Sequence, residues 1–334
     1  MIYTNISHFL MSERSERMDN TNLRLIFVLT DLIAPLAVGY YLHQRSLVSG
    51  EAINKLIRFN VVCIYTILSL LSFWVLPISG NLITVPIFGF LLVLIPGAIG
   101  TLFFVRNFSS WLDRGAYIAS AMLANLGTLG GVCAFILYDE QGFAYTQLIG
   151  TCQNVLLVLV IFPMAQYCYM KHTHTIRKTD RLRSFCDMFF SLNQMSLVGM
   201  AAGLLLNAFG VARPAALAPI FQSLVHIGAW IAMLPVGFLI DFHQVRRYAH
   251  KVRSLTALRF IITPVVFGIL IYLFVDDPVV QGTLLICAFC PTAINAVLTS
   301  RLYNLTTDLA VSSFVITTGA FLLAIFPALF FFLR

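Results

Sequence analysis

The chain has 334 residues, of which 59% are hydrophobic and only 10% are charged. Because an ordinary soluble protein has about 45–50% apolar and about 25% charged residues, this composition excludes a soluble globular domain. Each membrane-spanning helix needs about 20 predominantly apolar residues, so a chain of this length has room for about ten of them with their loops. The formal net charge is +7. The basic residues of the chain lie in alternate loops, however, and do not form the basic patch that indicates a nucleic-acid-binding surface.

Residues 1–21 precede the first apolar run and are polar, with acidic and basic side chains in balance. They lack the apolar stretch and the small-residue cleavage site of a secretory signal. We therefore expect a disordered N-terminal lead-in, within which Met11 and Met18 are alternative start residues.

Apolar runs bounded by charged residues, proline or glycine predict ten transmembrane helices after this lead-in. We number them as spans 1 to 10, and they cover residues 25–42, 56–77, 82–105, 116–138, 143–170, 185–209, 215–240, 255–275, 279–300 and 307–333. The odd-numbered connections carry the basic residues, whereas the even-numbered connections carry only Arg213. By the positive-inside rule the odd connections are cytoplasmic and both termini lie outside, as expected for an integral protein of the plasma membrane, here the bacterial inner membrane.

The polar connection at residues 171–184 divides the chain into two sets of five spans, at residues 22–170 and 185–334. An odd number of spans in each half gives the two halves opposite orientations. Short matches support a repeat: residues 84–89 resemble residues 263–268, and Gly39 corresponds to Gly203. The predicted fold is therefore an all-α polytopic membrane protein with two inverted five-helix repeats, in which substrate binds near the midplane at broken helices.

Two spans contain residues that interrupt helices inside the membrane. Span 4 carries Asn125 followed by three glycines, and span 9 carries Pro291 shortly before Asn295. Glycine destabilises a helix by about 1 kcal/mol relative to alanine, and proline removes a backbone donor. Such breaks serve either close helix packing or a polar binding site. Their matching placement, each with an asparagine, favours an anion site, since the N-termini of half-helices carry free N–H donors and partial positive charge.

Several different short motifs are spread along the chain from residue 36 to residue 310. They are residues 36–45 (LAVGYYLHQR), 47–52 (LVSGEA), 125–130 (NLGTLG) and 138–142 (YDEQG), the pair Gln153 and Asn154, Pro264, Pro291 with Asn295, and residues 308–310 (DLA). Together they resemble the auxin efflux carrier family of membrane transporters, which includes plant auxin carriers and bacterial carriers of small carboxylates.

This resemblance implies the ten-helix fold of bile acid and auxin carriers, in which helices 4 and 9 are broken and cross each other. It implies a transport unit of spans 3–5 and 8–10 that moves against a scaffold of spans 1, 2, 6 and 7. The chain departs from the family at Val132, where the family has proline, and near Cys63, where a proline of span 2 is absent. Flexibility in span 4 would then come from Gly130 and Gly131. The candidate substrate-binding residues are Asn125, Gly127, Gly130, Gly131, Gln153, Asn154, Pro291, Thr292 and Asn295.

Other polar residues in the spans allow more than one interpretation. Asp31 in span 1 is either an interfacial anchor or a proton carrier, and His226 in span 7 either forms a structural hydrogen bond or belongs to a site. Cys287 and Cys290 lack the further ligands of a metal centre, so neither a metal nor a cofactor is predicted. We expect no buried Arg or Lys in the spans that would pair with a carboxylate.

The pattern favours a secondary transporter, and specifically an efflux carrier for a small organic anion such as a mono- or dicarboxylate, working by alternating access. Its expected partners are that anion and the lipid bilayer, with a homodimer through the scaffold helices as one arrangement. A membrane sensor that binds a solute without moving it is the alternative. A polytopic enzyme is more remote, because acids and bases are scattered singly and the phosphate-binding G-x-x-x-x-G-K-[ST] motif is absent from the sequence.

Overall fold

The computed structural model describes residues 26–174, 195–238 and 242–333. This part of the chain is helical, apart from turns and one isolated antiparallel bridge between Ala124 and Thr292. Six continuous helical stretches are long and apolar enough to cross a membrane. The prediction of an all-α polytopic protein is confirmed at this level. The lead-in at residues 1–21 and residues 175–184 of the long connection lie outside the described residues.

We label the helices α1 to α12 in chain order. The long helix Leu126–Thr173 is interrupted at Tyr138 and Asp139, whose backbone angles are not helical, and its two parts are labelled separately. The helices are α1 (28–44), α2 (Gly50–Trp74), α3 (Asn81–Asn107), α4 (Trp111–Met122), α5 (126–137), α6 (140–173), α7 (Met195–Ala208), α8 (Leu217–Phe238), α9 (242–274), α10 (Pro278–Phe289), α11 (Ile294–Leu302) and α12 (Thr307–Phe332). Predicted span 4 thus consists of α4 and α5, and predicted span 9 of α10 and α11.

Helix α9 differs from its prediction, because it begins at Phe242, well before residue 255 where span 8 was expected to start. The predicted seventh connection is therefore largely helical. Val252 and Leu255 are buried on one face of this segment, while Lys251 and Arg253 are exposed. A search for uninterrupted apolar runs misses such an amphipathic segment, since half of its surface is charged.

Glycines bring two pairs of helices into close contact. A Cβ on Gly39 of α1 would lie 2.0 Å from the carbonyl oxygen of Leu234 in α8. In the same way, a Cβ on Gly203 of α7 would lie 2.4 Å from the carbonyl oxygen of Leu70 in α2. Small residues at such positions let helix backbones approach closely, which is how helices associate in membranes. Helix α8 of the first pair also contacts α2 of the second, and α5 packs against α8 through Phe135 and Phe221.

Candidate functional site

The two predicted helix breaks meet inside the protein. The backbone N–H of Asn125 donates to the carbonyl oxygen of Pro291 at 2.8 Å, and the N–H of Ala293 donates to the carbonyl oxygen of Leu123 at 2.9 Å. The ends of four half-helices, α4, α5, α10 and α11, therefore converge on a short antiparallel crossing. The structure brings together Asn125, Pro291 and Thr292, which the sequence predicted to share a site.

Gln153 on α6 holds the first break in place. Its side chain pairs with both backbone groups of Ala124, accepting from the N–H at 2.8 Å and donating to the carbonyl oxygen at 2.9 Å. Thr317 on α12 acts similarly at the second break, where its hydroxyl accepts from the N–H of Thr292 at 3.1 Å. Buried backbone groups that leave a helix need such partners, so the predicted binding residue Gln153 is fully engaged in supporting the backbone.

The two asparagines at the breaks have different environments. The Oδ1 of Asn125 accepts from the hydroxyl of Thr128 and from the N–H of Leu129, so this side chain caps the start of α5. Helix α11 begins after Ala293 with no side-chain cap. Among the described residues, the side-chain amide of Asn295 makes no hydrogen bond, and the residue is half-buried. Asn154 is likewise half-buried without a side-chain partner there. These two amides are free to bind a ligand.

The predicted glycines of span 4 lie in packing contacts. The Nε2 of Gln147 donates to the carbonyl oxygen of Gly127 at 2.8 Å. A Cβ on Gly130 would lie 3.0 Å from the Sγ of Cys290, and one on Gly131 would lie 3.1 Å from the Nε2 of Gln147. Their small size therefore lets α5 pack against α6 and α10. The break itself lies before them, at residues 123–125, and forms without a proline.

A buried arginine lies beside the crossing, and the expectation that the spans contain none was wrong. Arg259 on α9 is 1% exposed and donates through Nη2 to the carbonyl oxygen of Ser120 at 3.1 Å. Its Nε has no hydrogen-bond partner, and no carboxylate among the described residues pairs with it. Arg259 lies inside predicted span 8, but hydropathy does not show whether a basic residue near the end of a span is buried in the protein or reaches the interface. Its position within an apolar run shortly before Pro264 was the available signal.

The carbonyl oxygen of Ser120 shows why a positive charge fits here. It accepts from both Arg259 and the hydroxyl of Thr292, at 3.1 Å each, in the last turn of α4. The C-terminus of a helix carries partial negative charge, which a cation stabilises. Arg259 therefore has a structural role at the end of α4, while its buried Nε is a strong donor without a partner among the described residues. An uncompensated guanidinium in such a place is unfavourable unless an anion joins it.

A second polar pair lies on α1 and α8. Asp31 is 4% exposed, and its Oδ2 lies 2.5 Å from the Nδ1 of His226. Asp31 is therefore buried against α8, but burial inside the protein does not define depth in the membrane, so the interfacial anchor and the proton carrier both stay predictions. The structural hydrogen bond considered for His226 is present, and its partner is this carboxylate.

Three cysteines near the two helix breaks carry free, buried thiols. They are Cys133 on α5, Cys287 on α10 and Cys290 directly after α10. Within the described ranges, no group of three His, Cys, Asp or Glu side chains is arranged to hold a metal ion. What the crossing offers is the free amide of Asn295, a buried guanidinium, and the N-termini of α5 and α11. In comparisons with known proteins, no family model and no curated protein matches the chain.

Proposed function

We propose that the chain is a secondary transporter for a small organic anion, of the auxin efflux carrier type, with ten spans in two inverted repeats. The observation that carries this proposal is the meeting of two interrupted helices beside the buried, partly unpartnered Arg259. Irregular backbone at membrane depth is tolerated where it is buried in protein or lines a cavity. Broken helices that converge in this way are typical of secondary transporters.

Equivalent contacts in the two halves support the inverted repeat. Gln153 of α6 holds the break before α5, and Thr317 of α12 holds the break before α11. At the starts of α4 and α10, Asp113 pairs with Lys251 of α9 and Asp277 pairs with Asn81 of α3. The α1–α8 and α7–α2 contacts form a further pair, each centred on a glycine. With α4 and α5 as span 4, and α10 and α11 as span 9, the helices make ten spans.

The chemistry of the crossing suits a carboxylate. A carboxylate accepts up to four hydrogen bonds, and a guanidinium binds it with two parallel donors. We place the carboxylate between the free Nε side of Arg259, the side-chain amide of Asn295 and the uncapped N-terminus of α11. Because Arg259 is fully buried, the described conformation is closed around this region, and alternating access would open it from each side in turn.

The orientation follows from the distribution of basic residues, with the odd connections in the cytoplasm and both termini outside the plasma membrane. An organic anion that leaves a cell with a negative interior gains about 2.3 kcal/mol per charge per 100 mV. Export is therefore the favoured direction, and a bacterial inner membrane is the proposed location.

The proposal is tested with purified protein in proteoliposomes, by measuring exchange of ¹⁴C-labelled acetate, lactate, succinate and malate. Wild-type protein should exchange at least one of these acids faster than protein-free liposomes. Arg259→Gln and Asn295→Leu should each lower that rate about tenfold or more, since a hydrogen bond to a charged group is worth about 1.5–3 kcal/mol. Asn125→Leu should instead lower thermal stability, because a lost helix cap costs about 1 kcal/mol.

Arg253→Gln is the matched control, because Arg253 lies on the same helix but is exposed. It should leave exchange unchanged. Arg259→Lys keeps the positive charge, and it replaces Arg259→Gln in the exchange assay if Arg259→Gln does not fold. Thermal stabilisation by an acid without any exchange would support the sensor instead, and equal exchange in wild type and both folded site variants would refute the crossing as the binding site.

A further inference from the structure

The pair formed by buried Asp31 and half-buried His226 belongs to no part of the proposed anion site. Their side chains are 6% and 28% exposed, and the hydroxyl of Thr30 donates to the second carboxylate oxygen of Asp31 at 3.2 Å. An ionisable pair inside a span is costly and indicates function in a membrane protein.

The geometry defines which atom of His226 exchanges a proton. Its Nδ1 faces the Asp31 carboxylate, so in the neutral ring this nitrogen carries the hydrogen and donates it to Oδ2. The Nε2 lone pair is then left to bind a proton, and among the described residues Nε2 has no hydrogen-bond partner. When Nε2 takes up a proton from water, the ring becomes an imidazolium that still donates through Nδ1, and the net charge of the pair changes from −1 to 0.

His226 contacts α5, the half-helix that moves in the proposed transport cycle. The imidazole of His226 contacts Phe27, directly before α1, at 4.3 Å between ring centroids, and Phe135 of α5, at 6.2 Å. Phe135 is 6% exposed and belongs to the half-helix that starts at the crossing. A change of charge on His226 therefore acts directly on the contact between α8 and α5.

Among the described residues, His226 forms an ion pair only with Asp31. On α2, which contacts α8 where Asn60 donates to the carbonyl oxygen of Gly228, the ionisable residues nearest this contact in sequence are Arg58, Cys63 and Tyr65. Along α5 the only titratable group is Cys133, and along α8 it is His226 itself. On α1 the nearest histidine is His43, which lies at the far end of the helix against Phe238. The aromatic end of α12 that shares the hydrophobic cluster with Leu32 carries no ionisable residue within 321–332.

We propose that Asp31 and His226 form a proton-binding site whose occupancy controls the movement of α5, and so couples protons to anion transport. This inference rests on the proposed function. A pair with net charge −1 is unfavourable when packed under Phe135, because a buried carboxylate with a neutral partner is incompletely compensated. The protonated pair stabilises the packed state seen here, and loss of the proton favours a state in which α5 has moved away and water reaches the pair.

The first test measures protons and anions together, in proteoliposomes that contain the pH indicator pyranine and one of the labelled acids that wild type exchanges. Asp31→Asn and His226→Asn should lower proton movement per anion by about tenfold, whatever rate of anion exchange each variant retains. In His226→Asn the new side-chain amide can still donate to Asp31, so this variant keeps the contact without the proton. His43→Asn, at the other ring contact between α1 and α8, should change neither quantity.

The second test does not depend on transport. Infrared difference spectra of purified protein between about pH 5 and pH 9 should show imidazole bands that disappear in His226→Asn and shift in frequency in Asp31→Asn. His43→Asn should keep them. If His226 contributes no such bands, or if His226→Asn moves as many protons per anion as wild type, the proposal is refuted. Absence of exchange in wild type would refute the proposed function alone, and the spectra would still decide whether the pair binds a proton.

Discussion

Gln153 and Asn154 are neighbouring amides with different environments. Gln153 pairs with both backbone groups of Ala124, whereas Asn154 makes no side-chain hydrogen bond among the described residues. A sequence shows two adjacent amides and cannot distinguish them, because only the folded chain shows which one reaches the broken backbone.

Replacing Gln153 by leucine should strongly destabilise the protein. The substitution leaves the N–H of Ala124 buried without a partner, at about 1–3 kcal/mol, and leaves its carbonyl oxygen with only the N–H of Leu126 as a donor. We expect a clear fall in the thermal unfolding temperature of detergent-purified protein. Asn154→Leu is the control and should unfold near the wild-type temperature; equal effects of the two substitutions would contradict the assigned role of Gln153.

For single residues, the sequence predicted which residues meet at the crossing better than it predicted the contacts that each of them makes. Asn125, Pro291 and Thr292 do meet, as expected from helix breakers at matching positions in two apolar runs. Arg259 was missed because hydropathy does not show whether a basic residue near the end of an apolar run is buried in the protein or reaches the interface.

Among the helices, two contacts depend on glycine for backbone approach. Gly39 and Gly203 place α1 against α8 and α7 against α2, within a distance that no larger residue permits. The correspondence of these glycines was predicted from sequence, but the helices they contact were not, because partners across a bundle are set by tertiary packing rather than by local pattern.

We expect Gly39→Val to prevent stable assembly of α1 with α8. Its side chain would meet the backbone of Leu234 and Phe238, which cannot move without shifting α8. Yield and thermal stability after purification should both fall. Gly268→Ala is the comparison, since a Cβ there meets nothing within 4 Å; it should be neutral or stabilising by up to about 1 kcal/mol. A Gly39→Val protein as stable as wild type would mean that α1 and α8 separate easily.

At the scale of the whole molecule, two ion pairs hold helices together at their ends. In the proposed topology these two pairs lie at opposite faces of the membrane. Arg213 forms two hydrogen bonds with Glu140, of 2.5 and 3.1 Å, and joins the α7–α8 connection to the start of α6. Lys251 donates to Asp113 at 2.7 Å and joins α9 to α4. With the odd connections in the cytoplasm, the first pair faces outward and the second faces inward.

This orientation is tested by cysteine labelling of intact cells with an impermeant reagent. In a background without Cys63 and Cys186, a cysteine at position 79 should react and one at position 178, which lies outside the described residues, should not. Permeabilised cells should label both positions. Reaction at 178 but not at 79 in intact cells would reverse the orientation, and with it the outward direction of an anion driven by the membrane potential.

The central claim is that an organic anion crosses the membrane through the site at the helix breaks. It is tested most directly by anion flux in sodium-free proteoliposomes under an imposed potential, with wild-type protein and Arg259→Gln. The account predicts that wild-type flux rises with the potential, following about 2.3 kcal/mol per charge per 100 mV, and that the variant's flux falls to the level of protein-free vesicles. Wild-type flux that is no faster than protein-free vesicles, or that is unchanged by loss of Arg259, would contradict the claim.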